Sequence, residues 1–462
     1  MKMFFRQWSF VWGGFLIGLA EVIYFLKFKT PIPITTGLAK MFGTVEANVT
    51  KTDLITRLYP PDIHWVIIGI LAGGVLVIAL EREHKAWVRY PLRMTALAFL
   101  GGAIFGLGTR IAQGCTTWHY LGGIPAMSLT SIAVAVFSIP FAYGAFMLMA
   151  RMNVGGYMKH NEMKTTAMTC SRLGLDADTV GYDPGYKPFK DPVRLVLTAM
   201  LAILLVSSLW TAFKGGSPEG VGVMAGASIL IKLLVGFLLG FGIGKSGFGT
   251  ECAVMAPHSL HIKRKRFESM GVASITQTMF TGLMPFTGLL IAILMLNIAI
   301  LVTWMGFGWQ IPVVVEAGQY QWGFHLGHLV GGALLGIGAV LMIGCEIRTY
   351  ARAAMGYLTG VAALPGFFVG YLPYTLYQQK FDGFFFAHGF ITEKNMLEFL
   401  PDSKAAQYTF ALAYTAILLS LLVWAVWRGS RMIKVSAREY VTKSTDEVFL
   451  SKLPEGAETQ EA

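Results

Sequence analysis

Charge is scarce in this chain. Asp, Glu, Lys and Arg make up 14% of 462 residues, where soluble domains average about 25%. Hydrophobic residues make up 55% and mean hydropathy is +0.58, which excludes an ordinary soluble domain and points to a polytopic membrane protein. Cysteine is also sparse: 4 residues far apart in sequence give no basis for a disulfide framework. No GxxxxGK[ST] phosphate loop, no dinucleotide glycine motif in a strand–helix context and no HExxH occurs, so an ATP-driven engine would have to sit on another chain. No Cys-x-x-Cys and no His-rich tract supports a metal site. The expectation is a protein that is not an enzyme, with no cofactor, no metal and no nucleic-acid partner. A cleaved leader is not expected either: the first apolar run, from Trp8, comes after MKMFFRQ without a small-residue cleavage site and reads as a retained helix.

Apolar runs long enough to span a bilayer fall at about 9–26, 64–80, 95–113, 129–150, 193–213, 224–243, 270–302, 326–343, 355–378 and 407–427. The seventh is too long for one straight crossing and contains Pro285, which predicts a kink or an adjoining surface helix. Lys and Arg concentrate in 81–94, 151–192, HIKRKR at 261–266 and the segment after Trp427. Placing these in the cytoplasm gives ten crossings with both termini inside. Segments 214–223 and 303–325 then face outward. The 27–63 loop argues against this scheme, because it falls outside yet carries Lys27, Lys29, Lys40, Lys51 and Arg57. Either part of it re-enters the membrane or the first span does not cross fully.

The chain repeats itself. GGAIFGLGTRIAQGC from Gly101 and GGALLGIGAVLMIGC from Gly331 share seven identities in fifteen positions at a shift of 230 residues, ending on Gly114-Cys115 and Gly344-Cys345. GGFLIGLA at 13–20 likewise matches VGFLLGFG at 235–242. The first span thus corresponds to the sixth and the third to the eighth. Five crossings separate each pair, so the halves are expected to be inverted, a common transporter plan with the substrate path near the midplane. The predicted fold is an all-α polytopic membrane protein of two inverted repeats, about five spans each, with helix breaks or re-entrant loops carrying Cys. The expected division is a first repeat over 1–213, including a cytoplasmic linker at 151–192, a second over 214–428, and a cytoplasmic tail at 429–462.

The glycines from Gly101 to Gly108 and Gly331 to Gly338 read mainly as close helix packing. At Gly114-Cys115 and Gly344-Cys345 the apolar run stops, and freed backbone groups are tolerated at membrane depth only beside protein or a water-filled path. Cys115 and Cys345 end the repeated helices, and Cys252 sits in KSGFGTECAVMAPHS after the sixth span. A thiol is a weak donor with a soft, polarisable sulfur, suited to sulfur, selenium or a soft metal ion. Cys115 and His119 are four apart and could share a helix face as metal ligands, but the basic loops do not suit a cation path. Arg110 either faces the interior and draws an anion or snorkels to the interface. His258, His261, His325 and His328 read as interfacial, Glu346 and Arg348 as a local ion pair or loop contact, and Cys170 as incidental.

GTRIAQGCTTWHYLGG resembles the G-x-R-x-x-x-G-C-T-x-x-H signature of the YeeE/YedE family, associated with uptake of thiosulfate and related sulfur or selenium compounds. IGCEIRTYARAAMGYLTG resembles the family's second Gly-Cys motif, with its downstream Arg at Arg352, and KSGFGTECAVMAPHS its cysteine loop. The resemblance covers most of 1–425 apart from the linker. It implies an hourglass-shaped carrier in a prokaryotic inner (cytoplasmic) membrane, taking a small sulfur- or selenium-containing anion along Cys115, Cys252 and Cys345 by S–H···S contacts. A TusA-like cytoplasmic sulfurtransferase is an implied partner, beside the lipid bilayer. The family's early cysteine is missing here; an ungapped repeat puts Thr30 opposite Cys252. The alternatives are a selenium-compound carrier of the same family, or a membrane sulfur-transfer or redox protein using cysteine persulfides.

Overall fold

The computed structural model describes residues 8–81, 87, 92–151, 187–214, 223–250, 283–312, 323–387 and 389–444. Helices occupy all ten expected positions: α1 (Phe10–Phe28), α3 (Trp65–Glu81), α4 (Leu92–Ile111), α5 (Leu129–Arg151), α6 (Pro192–Phe213), α7 (Val223–Ser246), α8 (Met284–Phe307), α9 (Leu326–Met342), α11 (Leu358–Leu376) and α12 (Lys404–Met432). Between them lie α2 (Thr35–Val45) and α10 (Glu346–Ala354), and α13 (Ala437–Thr442) comes after α12. Eight helical stretches among the described residues are long and apolar enough to cross a bilayer. Trp65–Leu80 is a shorter apolar helix, and α11 is interrupted by Pro365 and Pro373. The only sheet among the described residues pairs β1 (Phe324–His325) with β2 (Gly389–Ile391).

Local chemistry sets several helix starts. Asp191 caps α6 by accepting from Val193 N at 3.0 Å, with Pro192 in the first turn, where a missing N–H costs nothing. Pro285 does the same for α8. The expected kink is therefore corrected: Pro285 stands in the first turn of a helix that begins at Met284, not inside it. The 270–282 part of that predicted span lies outside the described residues, as do nearly all of the 151–192 linker, HIKRKR and 214–223.

Burial orders the helices. The span in α8 is 67% buried, whereas those in α6 and α12 are each 17% buried and turn Leu195, Val206, Ile417 and Leu419 outward, as lipid-facing helices do. Helix α2, from the anomalous 27–63 loop, packs against α6 and buries Leu38, Ala39 and Met41, so this loop folds back into the protein.

Glycines allow the remaining helices to approach backbone to backbone, and the approaches come in matched sets. A Cβ on Gly14 (α1) would collide with the Gly288 carbonyl (α8), and one on Gly236 (α7) with the Val66 carbonyl (α3). Shifting Gly14 and Val66 by 222 residues gives Gly236 and Gly288. Gly102 and Gly106 (α4) lie against the Ala363 and Phe367 carbonyls (α11); Gly332 and Gly336 (α9), 230 residues on, lie against the Val134 and Ser138 carbonyls (α5). Where α4 meets α9, Gly101 faces Leu341 and Met342 while Gly108 faces Leu334 and Leu335. These two corresponding helices therefore run antiparallel.

Candidate functional site: two helix breaks and a cavity

Helices α4 and α9 end alike. Gly114 N bonds Thr109 O and Gly344 N bonds Ala339 O, each at 2.9 Å; Gln113 N bonds Arg110 O at 3.4 Å and Ile343 N bonds Val340 O at 3.2 Å. Both are Schellman ends. The left-handed residue is not the glycine but its predecessor, with φ 58° at Gln113 and 62° at Ile343. A left-handed L-residue costs about 1–2 kcal/mol. The glycines are required instead by the next turn of chain: a Cβ at Gly114 would strike the Trp118 ring, and Gly344, at φ 151°, is crossed by Arg348 Cδ. The helix then restarts, with His119 N bonded to Cys115 O at 3.0 Å and Thr349 N to Cys345 O at 2.9 Å. Cys115 and Cys345 are both fully buried thiols, outside any disulfide.

Cys115 meets the other half of the molecule. Its thiol lies within hydrogen-bonding reach of the Glu346 carboxyl and of Thr35. Thr35 Oγ1 donates to Glu346 Oε2 at 2.8 Å and Tyr350 Oη to Glu346 Oε1 at 2.5 Å. Of the ion pair or loop contact expected for Glu346 and Arg348, the structure gives Glu346 hydrogen bonds from Tyr350 and Thr35 and lays Arg348 along Gly344 and Gly249. Thr116, which the 230-residue shift places on Glu346, has its own cross-half partner in Thr250 at 3.1 Å. Each residue after a repeated cysteine is therefore held by a threonine from the opposite half.

Arg110 is buried. It donates to Tyr59 Oη at 2.8 Å and to Thr109 Oγ1 at 3.3 Å, with its guanidinium 5.2 Å from the Tyr59 ring and 4.9 Å from the Tyr371 ring. Its side chain therefore lies inside the protein rather than reaching to the surface. Arg110, Tyr59, Gln113, Gly114, Thr35, Trp118 and Tyr374 line a cavity of 140 Å³. One water takes about 30 Å³ of liquid, so a small anion fits. Cys115 comes directly after Gly114 and touches Thr35, so it lies just behind the cavity wall. Tyr371 Oη is buried without a hydrogen-bond partner.

His119 is spent elsewhere. Its Nε2 lies 3.1 Å from Ala112 O and its Nδ1 3.0 Å from Ser131 Oγ. A carbonyl only accepts, so Nε2 carries the proton and Nδ1 accepts. That ties the helix break to α4 and α5 and leaves neither nitrogen for a metal shared with Cys115. Arg352 supports the second break, donating to Ile343 O at 2.7 Å and Thr359 Oγ1 at 2.9 Å.

His325 and His328, read from sequence as interfacial, stand at the start of α9 and face the protein interior. Both are fully buried and stack with centroids 3.6 Å apart, because His325 caps α9 and its N–H bonds His328 Nδ1 at 3.2 Å. Burial lowers the pKa of His325 to about 4. Cys252, Cys170, His258 and His261 lie outside the described residues. Sequence reasoning missed Tyr59, Thr35 and Tyr371. Only Tyr350 carried a signal, four residues from Glu346 and so on its face of the helix.

A family model for sulphur transport matches residues 1–144 and 268–455. The match leaves out 145–267, and with it the Cys252 loop that the motif resemblance includes, and it extends through most of the tail. A comparison with curated proteins returns no match. With both Gly-Cys breaks and the Arg110 cavity inside the matched residues, the chain belongs to the YeeE/YedE sulphur-transport family.

Proposed function

We propose that the protein imports a small sulfur-containing anion such as thiosulfate across a prokaryotic inner membrane, with both termini in the cytoplasm. The observation that carries this reading is the outer cavity, with the Arg110 guanidinium in its wall and a buried soft thiol immediately behind it. An anion is drawn by the charge and planar donors of Arg110, which Tyr59 and Tyr371 hold in place. The unspent Tyr371 hydroxyl supplies a further donor to an oxyanion. The Cys115 S–H then offers a soft contact to the anion's terminal sulfur, a non-covalent step.

The two halves, 1–213 and 214–428, act as inverted repeats about a pseudo-twofold axis. The matched glycine contacts, the antiparallel α4–α9 pair and the twin Schellman ends support this arrangement. Gly344 and Cys345 are then the inward-side counterparts of Gly114 and Cys115, and His119 acts by fixing the first break. Cys252 is proposed as a further stepping stone on the family resemblance. Delivery to a TusA-like sulfurtransferase rests on that resemblance alone. Persulfide chemistry requires a thiolate, and a fully buried Cys115 thiol beside the Glu346 carboxyl is poorly placed to ionise, so carriage of the intact anion is favoured.

The test is uptake by proteoliposomes of radiolabelled thiosulfate beside sulfate, sulfite and selenium oxyanions. Saturable thiosulfate uptake, competed weakly by sulfate, is expected. Preference for a selenium oxyanion would reassign the substrate, and transport of none of them would refute the reading.

A further inference from the structure

Carriage of the anion leaves the Glu346 carboxyl, beside the proposed path, unused. Glu346 is fully buried in the first turn of α10, and its carboxyl accepts from Thr35 at 2.8 Å and from Tyr350 at 2.5 Å, with the Cys115 thiol within reach. Thr35 and Cys115 come from the first half and Glu346 from the second, so this carboxyl ties the halves together just behind the outer cavity. The S–H that an arriving anion needs therefore lies within reach of the Glu346 carboxylate, which competes with the anion for it. In addition, an anion brought against Cys115 would stand beside a carboxylate in a site without bulk water, where like charges repel strongly.

Both obstacles vanish if the carboxylate takes up a proton. We propose that Glu346 is the proton-binding site of the carrier, so that the anion enters with a proton and the proton gradient drives uptake. This rests on the transport reading above. In each cycle the Glu346 carboxylate accepts one proton from the outer side and becomes a neutral carboxyl. Cys115 S–H loses its charged acceptor and turns to the anion. After the anion leaves inward, the proton passes from Glu346 to water on that side and the latch to Cys115 and Thr35 re-forms. No bond in the anion breaks and no electrons move.

The surroundings isolate Glu346 as the group that changes charge. Besides Cys115 and Tyr350, the titratable or charged groups that bear on it are Arg110 from α4 and Tyr371 from α11, with Tyr59 beyond Arg110. Helix α3, packed on α10, has no titratable residue between Trp65 and Leu80. Helix α7, also packed on α10, contributes Lys245, which lies 6.0 Å from the Trp8 ring. On α10 itself, Arg352 is bound to Ile343 O and Thr359, and Arg348 runs along Gly344 and Gly249. In α2, Lys40 pairs with Asp62 at 3.9 Å.

Proteoliposomes with the membrane potential clamped at zero separate the two claims. Counterflow, in which external labelled thiosulfate exchanges for internal unlabelled thiosulfate, reads carriage alone; its absence in the wild type would overturn the transport reading and this inference with it. Accumulation under an inward proton gradient reads coupling. One proton per anion gives about tenfold accumulation per pH unit, and a trapped pH indicator acidifies when thiosulfate is added outside. Glu346→Gln, which mimics the neutral carboxyl, is expected to keep counterflow and lose both the tenfold accumulation and the acidification. Wild-type counterflow without acidification or gradient-driven accumulation would overturn the proposal, and so would a Glu346→Gln carrier that still accumulates thiosulfate. The wild-type measurements decide the matter even if the variant does not fold.

Discussion

Replacing Arg110 by Gln removes one positive charge from the wall of the 140 Å³ cavity and leaves most of its packing. Gln reaches less far but still offers an N–H toward Tyr59, whose hydroxyl now accepts from Arg110 at 2.8 Å. A hydrogen bond from a charged donor contributes about 1.5–3 kcal/mol, and every 1.4 kcal/mol is about tenfold in affinity. Binding of thiosulfate should therefore weaken about 10- to 150-fold in Arg110→Gln. Arg110→Lys keeps the charge but loses the planar fork stacked between Tyr59 and Tyr371, so its loss should be intermediate, and Arg110→Glu should be worse than either. Titration calorimetry on detergent-purified protein gives Kd, and the half-saturation concentration for uptake gives an independent value. Melting temperature and a single gel-filtration peak confirm folding. Wild-type affinity in a well-folded Arg110→Gln would refute the idea that this arginine draws the anion.

The fold carries three more expectations. Single cysteines replacing Lys187 and Lys434 should react with an impermeant reagent only after permeabilisation, and those replacing Gly308 and Asp402 in intact cells; the same side for both pairs would undo the inverted arrangement. Gly102→Leu should abolish folded protein, since even its Cβ would meet the Ala363 carbonyl, whereas Gly144→Ala, with nothing within 4 Å of the new Cβ, should be neutral or stabilise by up to about 1 kcal/mol. Burial holds His325 at about 4 against an ordinary 6.5, so its contribution to stability is present above pH 6.5 and lost as pH falls from 6.5 toward 4. The melting temperature should fall over that window, and His325→Gln should flatten the fall.

The spans were legible because lipid demands long apolar runs, and each of the ten falls on a helix. The glycine contacts were legible because helices that touch backbone to backbone must keep glycine there, as at Gly102 and Gly332. Pro285 misled because a proline in the first turn and one in mid-helix look alike in a hydrophobic run. That His325 and His328 would be buried as a cap was not legible, because a buried cap and an interfacial pair have the same composition. The site was half legible. Gly114-Cys115 and Gly344-Cys345 declared themselves where the apolar pattern stopped. The partner of Glu346 did not, since Thr35 stands 311 residues away and nothing local in either segment announces the contact. The left-handed turn at Gln113 and Ile343 was hidden for a similar reason: the glycine beside each is the obvious candidate, and packing against Trp118 and Arg348 explains why it sits one place later.

The central claim is that Cys115 passes the anion on intact. The most direct measurement is transport by Cys115→Ser and Cys115→Ala proteoliposomes, together with the mass of wild-type Cys115 after turnover. Serine keeps a donor without the polarisable sulfur and alanine keeps neither, and one ordinary net hydrogen bond is worth about 1 kcal/mol. Uptake should therefore fall in steps, alanine below serine, with the same order at Cys345 and an unmodified wild-type thiol. Equal abolition by both replacements, with wild-type Cys115 heavier by one sulfur atom, would contradict carriage and establish covalent sulfur transfer.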